Sequence, residues 1–105
     1  MDKLEELFRL QKSFMDELGA TYTPIDIALM TLAAHTELSE MLQEIHWKPW
    51  KRTGKTNLDA AREELIDVQH FIFELAILLG MDADAFYKQY LHKMEINKAR
   101  QANGY

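Results

Sequence analysis

The stretch from residue 57 to residue 80, NLDAAREELIDVQHFIFELAILLG, decides the fold of this chain. Asn57 at its start is a good helix-capping residue, and Gly80 at its end suits the left-handed position that follows a helix. Apolar side chains cover most of the circumference of the helix between them. The only polar stripe on this helix consists of Glu63, Glu64, Asp67, His70 and Glu74. A helix that is apolar on nearly all sides must be covered by other helices or by a second subunit.

Two more helices are predicted on the N-terminal side of this stretch. Apolar residues recur every three or four positions over Leu4–Leu18, and Gly19 then provides the helix-terminating glycine. Thr23 followed by proline is typical of an N-cap with proline at the first helical position. We therefore expect a second helix over about Pro24–His46.

A loop and a fourth helix complete the predicted fold. The segment Trp47–Thr56 breaks the helical period and predicts a loop. Either Asp82 or Asp84 can cap a fourth helix that runs through Ala102, with Gly104 beyond it. Because the chain contains no alternating run of β-branched residues, we predict an all-α, four-helix fold without a sheet.

Length, charge and cysteine content narrow the class of protein. The 105 residues fit one domain over positions 1–105, and a core of that size leaves little spare stability. The absence of cysteine excludes disulfides, thiolate metal sites and cysteine nucleophiles, and it agrees with a cytoplasmic location. A net charge of −5 argues against nucleic-acid binding. No segment is apolar enough for a membrane span or a signal peptide. The apolar third helix predicts a homodimer or homotetramer.

Two of the predicted helices carry stripes of acidic residues. On the second helix, Glu37, Glu40 and Glu44 project within about 60° of one another. On the third helix, Glu64 and Asp67 stand among apolar neighbours, where the repulsion between like charges is stronger. A bound cation would relieve this repulsion, and hard oxygen ligands without cysteine favour Mg²⁺ or Mn²⁺ over Zn²⁺. The alternative is that each stripe is only the solvated face of its helix.

Two basic segments suit a substrate that carries phosphates. The loop around Trp47 and Lys51 offers cations to phosphates and an aromatic face to a base or a sugar. On the fourth helix, Lys93, Asn97 and Arg100 share one face, which suits phosphate oxygens. The alternatives are a solvated loop whose tryptophans cover the ends of the core, and an ordinary polar helix surface.

The acidic pairs resemble the motif of a known superfamily. Glu37-x-x-Glu40 followed by Glu64-x-x-Asp67 is similar to the paired acidic motif of the all-α NTP pyrophosphatases, the MazG-like superfamily. The dimeric dUTPase group within it is the branch that the chain resembles, over residues 4–105. Further similar segments are Trp47-Lys48-x-Trp50-Lys51, Asp67-x-x-His70-Phe71 and Lys93-x-x-x-Asn97-x-x-Arg100.

The resemblance implies hydrolysis of dUTP, and of dUDP, to dUMP with release of pyrophosphate or phosphate. It implies a nucleotide substrate and Mg²⁺ as cofactor, with Mn²⁺ as a substitute. The implied metal ligands are Glu37, Glu40, Glu64 and Asp67. Glu40, with Glu37 beside it, would orient or deprotonate the attacking water. The implied substrate contacts are Gln11 at the base, Trp47, Lys51 and His70, and Lys93, Asn97 and Arg100 at the phosphates.

Two departures from this family keep other functions open. Its members usually carry an insertion between the third and fourth helices, whereas Leu79-Gly80-Met81 joins them directly in this compact form. Met15 stands where the family has an asparagine that helps to recognise uracil, and methionine makes no comparable hydrogen bonds. A related pyrophosphatase for dCTP or modified nucleotides is therefore the first alternative. A non-catalytic helical dimerisation module is the second.

Overall fold

The computed structural model describes residues 2–104 and contains four helices in that part of the chain. They are α1 (Lys3–Glu17), α2 (Pro24–Gln43), α3 (Leu58–Leu78) and α4 (Ala83–Ala102). Within the same residues no strand is present, so the predicted all-α fold is confirmed. Of the helices described, none is long and apolar enough to cross a membrane.

Local capping explains where these helices begin. The side chain of Asn57 accepts a hydrogen bond from the amide of Ala60 at 3.0 Å, and Asp82 caps α4 in the same way. Thr23 and Asp26 form a capping box at the start of α2. Each interaction satisfies an amide in the first turn, which has no partner inside its helix.

One helix end differs from the sequence-based prediction. We expected α2 to reach about His46, but it ends at Gln43. The loop after it closes on itself: the amide of Asn57 donates to the carbonyl oxygen of Glu44 at 2.7 Å. The amide of His46 likewise donates to the hydroxyl of Thr56 at 2.9 Å. These two bonds replace the last helical turn, and periodicity along the chain carries no information about them.

The core lies where α1, the C-terminal half of α3 and the start of α4 meet. Phe8, Met15 and Ile77 are buried there. The ring of Phe8 lies 5.0 Å from that of Phe73 and 5.5 Å from that of Phe86. Such tilted aromatic pairs stabilise a core beyond the area that they bury. This cluster fixes α1 across α3, while α2 packs along α3 in the most extensive helix pair of the chain.

Much apolar surface is left uncovered in the single chain. Leu65 and Ile66 on α3 are 51% and 57% exposed, and Leu32 on α2 is 62% exposed. The radius of gyration is 17.0 Å, against about 13 Å for a compact domain of roughly 100 residues. Within one chain, α1 and α2 therefore leave one side of α3 open, and the other helices do not supply the whole cover predicted for this helix.

Candidate active site

Three glutamates from two helices meet where α2 packs along α3. Glu37 and Glu40 lie one turn apart on α2, and Glu64 lies in the first half of α3. One carboxylate oxygen from each falls within 4.8 Å of the other two. Glu40 is exposed, whereas Glu37 and Glu64 are partly buried. The acidic residues that the sequence singled out on separate helices are thus brought together in space.

The polar atoms of this acidic cluster are short of partners. Oε2 of Glu37 and Oε2 of Glu64 are both buried without a hydrogen bond. The pKa of Glu37 is raised to about 7, first by the proton that its carboxyl group can share with that of Glu64 and then by burial and by Glu40. Buried polar atoms normally have a partner. Clustered hard oxygens without one fit a divalent cation such as Mg²⁺ or Mn²⁺.

Asp67 is not part of this group within residues 2–104. It lies almost one turn beyond Glu64 on α3, and its side chain is exposed. Its predicted role as a fourth metal ligand therefore rests on the sequence motif alone. The carboxylate oxygens that lie close together are those of Glu37, Glu40 and Glu64.

A cavity of about 380 Å³ lies between α1 and α3. This volume is within the usual range of small-molecule sites. Its walls are mainly apolar, with the polar groups of Gln11, Gln69 and His70 among them. The lining residues are Leu7, Leu10, Gln11, Phe14, Ile66, Gln69, His70 and Phe73. Glu37, Glu40 and Glu64 do not line this cavity. His70 lies six residues after Glu64 on α3, about 9 Å further along the helix axis and about 120° around it.

Gln11 is the buried polar residue of this cavity, with 7% of its surface exposed. Its side-chain Nε2 donates a hydrogen bond of 3.4 Å to Oε1 of Glu74 on α3. Burial raises the pKa of Glu74, while the hydrogen bond from Gln11 lowers it and the charge of Asp26 raises it. The sequence placed Glu74 in the polar stripe of α3 but assigned it no role. Only the packing of α1 across α3 reveals its contact with Gln11.

Met15 lies in the core and not in the cavity. Its side chain is 1% exposed, and it packs with Phe8, Ala76 and Ile77. One turn earlier on α1, Gln11 reaches the cavity wall instead. The position at which the family's asparagine was expected to recognise the base therefore makes no contact with this cavity.

The loop after α2 is held by contacts to His46. The ring Nε2 of His46 donates to the carbonyl oxygen of Lys51 at 3.0 Å. Gly54 passes so close to this ring that a Cβ atom there would lie 2.6 Å from Cδ2 of His46. Trp47 packs edge-on against Trp50 at 5.9 Å, with the ammonium of Lys48 5.4 Å from the Trp47 ring. Trp47 and Lys51 therefore belong to a loop whose shape is held by its own hydrogen bonds and ring contacts.

The basic face of α4 lies away from the acidic cluster of the same chain. Lys93, Asn97 and Arg100 are exposed, and α4 packs against α1. Lys93 lines a depression together with Met81, beyond the C-terminal end of α3. Glu64 and Leu78, the last residue of α3, are 14 positions apart, which corresponds to about 21 Å along the helix axis. The packing of α4 against α1, and not along α2 and α3, gives these predicted phosphate-binding residues no described contact with the glutamates.

The fold and the acidic cluster define an all-α protein in which two paired helices contribute clustered carboxylates. The family described as dUTPase matches residues 3–79, and the chain belongs to this family.

Two curated relatives are similar over parts of the chain. One, a dCTP pyrophosphatase of Enterobacteria phage LZ5, is 39% identical over 71 residues, which cover 56% of this chain and 41% of that protein. The other, a dCTP pyrophosphatase of Enterobacteria phage T4, is 30% identical over 89 residues, covering 73% of this chain and 52% of that protein. The chain thus spans about half the length of these relatives. No solved structure matches it significantly.

Proposed function

We propose that this chain is a Mg²⁺-dependent nucleoside triphosphate pyrophosphohydrolase acting on a pyrimidine deoxynucleotide. The observation that carries the proposal is the acidic cluster: three carboxylates within 4.8 Å, two of which have buried oxygens without partners. Membership of the dUTPase family supports this chemistry. The substrate that the motifs favour is dUTP, with dUDP, and dCTP is the second candidate because both relatives are named for it.

Each glutamate of the acidic cluster has a role that follows from its exposure. Glu37 and Glu64, with Asp67 one turn further along α3, would hold the metal from the helix interface. A divalent ion held there neutralises polyphosphate charge and lowers the pKa of bound water. Glu40 is the exposed member of the cluster, and we assign to its carboxylate the orientation of the attacking water and the acceptance of its proton. The products would be the nucleoside monophosphate and pyrophosphate.

The cavity and the loop supply the remaining substrate contacts of this proposal. Gln11 and His70 line the cavity, which is mainly apolar and suits a planar base. Trp47 and Lys51 lie together on the loop after α2, where an aromatic ring and a cation are available to the sugar and the phosphates. A cytoplasmic location is part of the same proposal, because a chain without cysteine suits a reducing compartment.

We further propose that a second copy of the chain completes the site, as a homodimer or homotetramer. Lys93, Asn97 and Arg100 lie on the helix that packs away from the acidic cluster, so another copy would have to present them to its phosphates. Exposed Leu65 on α3 and Leu32 on α2 offer it an apolar surface. Sedimentation velocity at micromolar concentration should give a dimer or a larger species, and a stable monomer would contradict the proposal.

Replacement of the metal-binding glutamates tests the proposed activity. Because Glu64→Gln removes a charged ligand and keeps the shape, we expect Mg²⁺-dependent pyrophosphate release to fall by at least about a hundredfold with the fold intact. Glu63→Gln is the matched control, since Glu63 precedes Glu64 on α3 and is exposed. Wild-type rates for Glu64→Gln, or an equal loss for Glu63→Gln, would contradict the assignment of the metal centre.

A further inference from the structure

The hydrogen bond between Gln11 and Glu74 determines which polar atom of Gln11 the cavity wall can offer to a ligand. Gln11 lies on α1 and Glu74 on α3, 63 positions later, and the two side chains are within hydrogen-bonding distance at 3.4 Å. Gln11 is 7% exposed and is part of the cavity wall, whereas Glu74 is partly buried behind it. Gln11 is the buried polar residue of a mainly apolar wall, and a buried amide there is well placed to distinguish one flat ring from another.

The chemistry of the pair determines which end of the amide faces Glu74. An ionised carboxylate accepts hydrogen bonds and donates none, so the NH₂ group of Gln11 must turn toward Glu74. The amide carbonyl oxygen is then the acceptor that Gln11 can offer to a ligand. The charge of nearby Asp26 adds to the negative character of this corner. The corner therefore favours a ligand edge that carries N–H donors.

We propose that Glu74 is a positioning residue for base selection: it holds the Gln11 amide so that the cavity accepts the exocyclic amine of cytosine in preference to the C4 carbonyl of uracil. This inference rests on the proposed function, whose substrate it narrows from a pyrimidine deoxynucleotide to dCTP. Cytosine carries an NH₂ donor at the position where uracil carries a carbonyl acceptor. Uracil in the same orientation would place its acceptor against the Gln11 oxygen and leave both without a donor.

The magnitude of the preference follows from hydrogen-bond chemistry. A site that offers an acceptor rewards the base with the matching donor and penalises the base that leaves buried polar groups unpaired. Because cytosine and uracil differ here by one donor in place of one acceptor, we expect the cytosine nucleotide to bind about 10- to 100-fold more tightly. Glu74→Gln keeps the shape but also allows the Gln11 amide to turn over, so the preference should fall to about twofold or less.

Binding of monophosphates in EDTA separates this inference from catalysis. Calorimetric titration of dCMP and dUMP should show the cytosine preference in the wild-type protein and its loss in Glu74→Gln. Glu63→Gln, which replaces an exposed glutamate on the same helix, should keep the wild-type preference. Since Glu74 acts through Gln11, the double variant Gln11→Ala/Glu74→Gln should show the same preference as Gln11→Ala alone. A residue that only stabilised the fold would change both affinities equally.

The outcomes distinguish failure of this inference from failure of the proposed function. A cytosine preference that persists in Glu74→Gln, or is absent from the wild-type protein, overturns the role of Glu74. If the wild-type protein still releases pyrophosphate with Mg²⁺, the proposed function stands after that result. If Glu74→Gln does not fold, the same titrations with Gln11→Ala test the inference. A cytosine preference that is retained in Gln11→Ala overturns it.

Discussion

Divalent metal binding at the acidic cluster should depend steeply on pH between 6 and 8. The pKa of Glu37 is raised to about 7 by its proximity to Glu64, by burial and by Glu40. A metal ion binds the deprotonated carboxylate, so the ion and the proton compete for the same oxygen atoms. With a pKa of about 7, roughly one tenth of Glu37 is deprotonated at pH 6 and roughly nine tenths at pH 8. The apparent association constant for Mn²⁺ should therefore rise about ninefold over this range.

Isothermal titration calorimetry with Mn²⁺ at pH 6, 7 and 8 measures this rise at constant ionic strength. In two buffers of different ionisation enthalpy it also counts released protons, and we expect about 0.9 per ion at pH 6 and about 0.1 at pH 8. Glu37→Gln should bind more weakly and without this pH dependence, whereas Glu63→Gln should behave as the wild-type protein. A wild-type affinity that does not change with pH, as for a glutamate with an ordinary pKa, would contradict this prediction.

Three further predictions concern stability. Without metal, the free energy of unfolding should decrease as pH rises from about 4.5 through 7, because the folded state holds a proton on Glu37 that the unfolded state has lost. Melting of the wild-type protein and of Glu37→Gln at several pH values checks this. Equal dependence of the two melting temperatures on pH would contradict it. Met15→Asn should lower the free energy of unfolding by about 2–4 kcal/mol in urea melts, since it buries an amide among apolar side chains; a change below about 0.5 kcal/mol would place residue 15 outside the core. Gly54→Ala should cost about 1–2 kcal/mol because its Cβ meets the His46 ring, whereas exposed Thr53→Ala should be nearly neutral; equal effects would contradict this close approach.

The sequence predicted the helices well because their ends are determined locally. Asn57 and Asp82 each cap the amide three residues later, and Gly19 and Gly80 adopt the positive φ expected after a helix. The end of α2 was missed because a bond between Glu44 and Asn57, 13 residues apart, replaces the last turn. Helix caps and the helical repeat involve residues a few positions apart, so they do not predict a hydrogen bond over this distance.

The acidic part of the site was predictable for a similar reason. Glu37 and Glu40 share a face through the helical repeat, and Glu64 stood out as a charge on an apolar helix. The rotation of α1 was not predictable, because it depends on how Phe8 packs against Phe73 and Phe86. That packing directs Met15 into the core and Gln11 to the cavity wall.

Pyrophosphate release by the wild-type protein, with Mg²⁺ and with EDTA, is the decisive measurement for the proposed nucleotide pyrophosphohydrolase activity. The substrates to compare are dCTP, dUTP, dTTP and dATP at equal concentration. We expect release that requires Mg²⁺ and is confined to dCTP and dUTP, with dCTP the faster substrate if Glu74 orients Gln11 as proposed. Absence of pyrophosphate from all four nucleotides, or a rate unchanged by EDTA, would contradict it.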